Sequence, residues 1–134
     1  MNIRIHRGLE QIGGCITEIS TENSRVFIDM GQNLPGNGEQ TTPEQDKEMV
    51  EDIFRNNPKA HEAVVYTHAH EDHVGLFYYV PNNVPQYIGE GGKEILIAKF
   101  EKIKKGHEQE YNVSSAVSAH NGSESQKQSC ERLA

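Results

Sequence analysis

Nine residues constrain this chain more than all the others: Thr67-His68-Ala69-His70-Glu71-Asp72-His73-Val74-Gly75, placed directly after the apolar run Ala63-Val64-Val65-Tyr66. A short apolar run closed by a polar segment predicts a buried strand that delivers the histidines at its carboxyl end, where α/β sheets usually keep their chemistry. Imidazole and carboxylate are ligands that first-row divalent metals prefer, zinc above all. Residues two apart on an extended backbone point to the same side, so His68 and His70 can grip one ion together. Asp72 and His73 follow where the chain turns into a helix, and can face a second ion.

The bland alternatives are specific. A single histidine at a strand end is usually a surface or core residue, and a lone Asp-His pair carries no chemistry; the density of donors here favours the metal reading. A structural zinc site would close on four ligands rich in paired cysteines. This chain has two cysteines, Cys15 and Cys130, both remote from the segment. That points to an open, catalytic type of site.

Upstream, Ile3 to Gly8 alternates like a strand, Gly13 to Ile19 follows as a second, and Arg25 to Gly31 reads as a third ending in Asp-x-Gly. These strands and the spacing His68-x-His70-x-Asp72-His73-x-Gly75 resemble the metallo-β-lactamase superfamily. The Gly-Gly before a Glu-Ile strand and the later Gly-Glu-Gly-Gly are most similar to its ribonuclease J and RNA-processing exonuclease branch. The resemblance implies an α/β chain forming the amino-terminal half of a four-layered αββα sandwich. It implies one or two zinc ions (manganese being the other candidate), with His68 and His70 on the first and Asp72 and His73 on the second. Asp72 would also orient a metal-bound nucleophilic water, the catalytic role. Asp29, at the end of the third strand, would stand behind the ligands and hold a histidine by its second ring nitrogen; as a plain residue before Gly31 it would be only a turn former. The implied activity is hydrolysis of a phosphodiester, RNA foremost, with ester or thioester cleavage as the alternative.

The chain departs from that pattern after His73. Members of the superfamily are longer and supply another histidine, a bridging aspartate and a last histidine downstream. Here His107 follows a helical pattern and His120 lies in a polar stretch. The expectation is therefore a truncated member, so that a non-catalytic fragment stands beside the hydrolase as a reading. A missing second sheet would leave an apolar face open to self-association.

The 134 residues make one domain or less. Residues 1–111 hold most of the apolar content and read as the partial domain; residues 112–134, with six serines and no sustained period, read as a disordered tail. Thr42-Pro43-Glu44-Gln45 has the form of a helix start, with Met49, Val50, Ile53 and Phe54 as its apolar stripe and Asn56-Asn57-Pro58 as its stop. Past the motif, the pattern predicts a helix over Val74 to Val80, a strand over Val84 to Ile88, a turn at Gly89-Glu90-Gly91-Gly92, and an amphipathic helix ending near Gly106. Cys15 reads as a small core residue of the second strand, Cys130 as exposed, and His61 as a surface residue.

No apolar run is long enough for a membrane span, and the amino terminus has no apolar core of a signal peptide. Free thiols without an export signal suggest the cytoplasm. The net charge of −7 opposes non-specific attraction to nucleic acid, although bound divalent ions would invert the local field. Lys99, Lys102, Lys104 and Lys105, interleaved with Glu94 and Glu101, read as a solvated helix face.

Overall fold

The computed structural model describes residues 1–106, with side chains described through Lys99. Three strands come first: β1, Asn2–Arg7; β2, Ile16–Ser20; and β3, Ser24–Ile28. They form an antiparallel meander, with a register shift between Ile5 and Arg7. Helix α1, Pro43–Arg55, then carries the chain over one face so that β4, His61–Tyr66, enters parallel to β3. After a four-residue helix α2, Glu71–Val74, and a single 3-10 turn at Phe77–Tyr79, strand β5, Gln86–Ile88, adds parallel to β4. Helix α3, Glu90–Gly106, follows. The sheet order is β1-β2-β3-β4-β5. The expected α/β class is what forms: one five-stranded sheet with helices against one face.

Helix α1 begins as its sequence dictates. Thr42 accepts from the Gln45 amide at 3.3 Å, and the Gln45 side chain accepts from the Thr42 amide at 2.9 Å, a reciprocal capping box with Pro43 just inside. Its stripe buries Val50, Ile53 and Phe54 against Ile16, Phe27, Val64 and Tyr66 of the sheet, with Met49 partly buried beside them. Met30, Leu76, Val80, Val84 and Ile88 extend the same core beneath the loops that follow the strands.

Two expectations are corrected here. The helix after the motif ends at Val74, because Val74 and Leu76 are both buried, and two positions apart they would point to nearly opposite sides of a continuous helix. Residues 90–92, expected in a turn, are the first turn of α3, where the absence of a side chain on Gly92 leaves room for Ile88. Packing outweighs the helix cost of glycine, which is about 1 kcal/mol per residue. Cys15 precedes β2 and is half-buried rather than a core strand residue. His61 is exposed, as read. His107, His120, Cys130 and the 112–134 segment lie outside the described residues.

The face under α1 also carries charge. His6 Nε2 lies 2.8 Å from Glu18 Oε2, and Glu18 is buried. Burial pushes the Glu18 carboxyl up, but hydrogen bonds from His6 and Ser20 and the nearby Arg25 charge outweigh it, so the group sits below its ordinary 4.5. A carboxyl held low in the folded state stabilises above the unfolded value, and that contribution is lost as pH falls through the folded one. The stability gap between wild type and Glu18→Gln should therefore narrow as pH drops from about 6 to about 3. Urea midpoints across that range check it; a gap that stays constant or widens would count against the coupling.

Candidate metal centre

Strand β4 ends at Tyr66 and delivers Thr67 to His70 beside the end of β3. There Asp29 adopts a φ of 63°, a left-handed conformation that asparagine and aspartate tolerate better than most residues. The turn brings its buried carboxylate under the histidine segment. Asp29 Oδ1 accepts from the Thr67 amide at 2.7 Å, Oδ2 accepts from Thr67 Oγ1 at 2.9 Å, and His73 Nδ1 lies 2.7 Å from Oδ2. Donation from His73 Nδ1 would leave Nε2 as the unprotonated, outward-facing nitrogen, the tautomer a ligand needs. Asp29 is thus buried and hydrogen-bonded to both Thr67 and His73.

The other donors gather around this base. His68 Nδ1 lies 3.0 Å from Thr67 Oγ1, and His68 Nε2 faces His70 Nδ1 at 3.1 Å. The rings of His68 and His73 are 4.0 Å apart, centre to centre. His73 Nε2 and Asp72 Oδ2 are 3.5 Å apart. Two nitrogens bound to one tetrahedral zinc at about 2.05 Å would stand about 3.3 Å apart. The spacing within each pair therefore suits two donors of one ion, and the donor chemistry is what zinc takes. Among the described residues, however, no three donors are arranged as a group that could hold an ion. The pairs fit zinc; a complete cage is not formed by them alone.

Backbone contacts lock the segment in place. Cys15 N donates to Asp72 O at 3.1 Å, Met30 N to His73 O at 2.9 Å, Gln32 N to Glu71 O at 2.9 Å, and Leu76 N to Met30 O at 2.9 Å. Two glycines allow this approach. A Cβ on Gly31 would fall 1.8 Å from Asp72 O, and one on Gly13 would fall 2.7 Å from Asp72 Cβ. At Gly75, Gln32 Cβ lies 2.7 Å from where a Cβ would be. Burial first, then the charges of Asp29 and Asp72, push the Cys15 thiol up, so it stays protonated near neutral pH.

Four participants escaped sequence reasoning. Thr67 is the hydroxyl shared by Asp29 and His68, and its place immediately before the first histidine was the available signal. Gly13 and Gly31 matter through proximity that spacing does not reveal. Lys99, read with a solvated face, donates to the Ala69 carbonyl at 3.1 Å and ties α3 to the segment. A groove of 710 Å³ lined by Arg4, His6, Glu18, Arg25, Asn56 and Lys59 lies elsewhere; none of the four candidate ligands lines it.

No family model matches the chain. Over 73 residues it is 36% identical to an RNase J-like protein of Methanocaldococcus jannaschii, a match covering 54% of this chain and 14% of that protein. A crystal structure of a protein of unknown function from Enterococcus faecalis shares the fold, with a TM-score of 0.60 at 24% identity over 75% of this chain and 28% of the other. A subclass B3 metallo-beta-lactamase from a soil metagenome library aligns at a TM-score of 0.44 and 17% identity, over 65% of this chain and 31% of that one. The chain thus spans 14% of the length of the RNase J-like relative.

Proposed function

We propose that this chain, which resembles the RNase J-like branch of the metallo-β-lactamase superfamily, carries the first half of a zinc-dependent hydrolase site acting on a phosphodiester, with RNA as the substrate. The observation that supports it best is the convergence of His68 Nε2 and His70 Nδ1 at 3.1 Å beside a His73 held at Nδ1 by a buried carboxylate. The similarity to an RNase J-like protein favours a phosphodiester over an ester or thioester.

In this reading His68 and His70 hold one ion, and Asp72 Oδ2 with His73 Nε2 holds a second. Bound zinc would supply a water acidic enough to ionise near neutral pH and a positive field for the developing charge. The protein's own contribution is positional. Asp29 fixes the His73 ring and, through Thr67 Oγ1, steadies His68, so that two imidazoles keep their orientation without substrate. In the same reading Asp72 would orient the nucleophilic water. Its backbone carbonyl is already held by Cys15, which leaves its side chain to face His73.

Zinc titration by calorimetry and cleavage of an end-labelled RNA, with a p-nitrophenyl ester as the comparison substrate, test the proposal. Wild type should bind zinc, and the pair His68→Ala with His70→Ala should weaken binding at least about a hundredfold and abolish metal-dependent turnover, a loss at least as large as that expected from removing groups behind a ligand. Zinc bound without turnover on either substrate would favour the non-catalytic reading. Absence of zinc binding by wild type would sink the proposal.

A further inference from the structure

Strand β1 ends on an irregularity. Ile5 pairs with Thr17 but Arg7 pairs with Ile16, so His6 and Arg7 together stand opposite a single position of β2. Such a bulge re-aims a side chain. Ile16 is buried in the core under α1, and directly paired residues point the same way. Arg7 is thereby turned to the α1 side instead of continuing on the face of Ile5.

There the guanidinium uses all three nitrogens. Nη1 donates to Asp46 Oδ1 at 2.8 Å, Nε to the Gly14 carbonyl at 3.2 Å, and Nη2 to the Gly31 carbonyl. Asp46, buried in the first turn of α1, also accepts from Thr41 Oγ1 at 2.8 Å. The paired side chains are 10% and 3% exposed, so this clamp is already closed within the described residues.

The two carbonyls belong to the peptide units that hold the histidine segment. A trans peptide is planar and directs its C=O and N–H to opposite sides, and neither unit is cis. The unit that ends in Gly14 O carries Cys15 N, which donates to Asp72 O at 3.1 Å. The unit that ends in Gly31 O carries Gln32 N, which donates to Glu71 O at 2.9 Å. One cation therefore pulls on two carbonyls, polarises both peptide units, and strengthens the N–H groups that grip consecutive residues of α2.

We propose that Arg7 is the positioning residue of the Asp72–His73 half of the site, setting Asp72 through these two relayed peptide units. The inference rests on the reading of Asp72 and His73 as donors to an ion. The ordinary alternative is a buried ion pair that only pins α1 to the end of β1. A lysine separates the two, because it keeps a charge for Asp46 while its compact ammonium cannot span both carbonyls as the planar fork does.

Amide exchange on the metal-free chain, with zinc titration by calorimetry, tests the proposal on wild type and Arg7→Lys. Cys15 and Gln32 should lose protection about tenfold, the scale of a charge-assisted hydrogen bond. Met30 should keep its protection, since it donates to His73 O but its peptide oxygen, that of Asp29, is not an acceptor of Arg7. Zinc affinity should fall about tenfold, the lower end of the range for groups behind a ligand. Arg25→Lys, at the other end of α1, should lower stability and leave zinc affinity unchanged. Should Arg7→Lys fail to fold by circular dichroism, Asp46→Asn, which removes the counter-charge and keeps the shape, should show the same pattern. Equal losses at all three amides, no loss at Cys15 and Gln32, or an equal drop in zinc affinity with Arg25→Lys would overturn the proposal. A folded Arg7→Lys that binds zinc as wild type does would overturn it and leave the metal reading standing; wild type that binds no zinc would remove both.

Discussion

Replacing Arg25 with alanine is expected to cost about 3–5 kcal/mol of stability, the range for removing one partner of a buried charge pair. Arg25 is 2% exposed, and its guanidinium is spent on the end of a helix. Nε donates to Glu62 at 2.6 Å, one terminal nitrogen donates to the carbonyls of Ile53 and Asn56 at 3.1 Å each, and the other donates to Phe54 at 3.0 Å. The group also lies over the rings of Phe27 and Phe54, 5.0 and 5.6 Å from their centres. Alanine would strand a largely buried carboxylate and leave three carbonyls near the end of α1 without their donor. Arg25→Lys should recover only part of the loss, because an ammonium cannot reproduce the planar fork. Equilibrium urea unfolding measures both, and an alanine variant within about 1 kcal/mol of wild type would show that the arginine is dispensable.

The second large effect is at Gly31. A methyl group there would lie 1.8 Å from Asp72 O and 2.7 Å from Cys15 N, both backbone atoms that cannot rotate away. Gly31→Ala should cost about 3 kcal/mol, at the upper end of ordinary overpacking, and it should push the 71–76 segment off the sheet. The readout specific to the site is amide exchange. Cys15, Met30 and Gln32, whose amides donate to Asp72, His73 and Glu71, should lose protection together. Gly91→Ala provides the contrast: it is helical with nothing within 4 Å of the added atom, so it should be neutral or stabilising by up to about 1 kcal/mol. Equal losses at both positions would mean that close packing on Asp72 is not what Gly31 serves.

Much of this architecture is legible in the chain. Alternation in residues 3–7 and 25–28, the apolar run before Thr67, and the Thr42 to Gln45 capping box are local signals, and local forces decide them. The four candidate ligands also lie within six consecutive positions, so their nearness needs no fold to reveal it. What escapes sequence reading is non-local. Arg25 looks like an ordinary strand cation until α1 ends above it. Gly31 looks like half of an Asp-x-Gly turn until Asp72 arrives 41 positions later. The short α2 and the early start of α3 went against pattern because burial of Val74 together with Leu76, and of Ile88 against Gly92, outweighs intrinsic preference.

The register shift between Ile5 and Arg7 has a further consequence, for aggregation. Among the described strands, β1 and β5 are the free margins, and β5 has only three residues. On β1 the irregularity twists the unpaired backbone, and Arg4 stands exposed on it. Bends, cations and short strands are the devices by which sheets resist endless lateral growth. The sheet is thereby guarded along both edges against extending into a fibril.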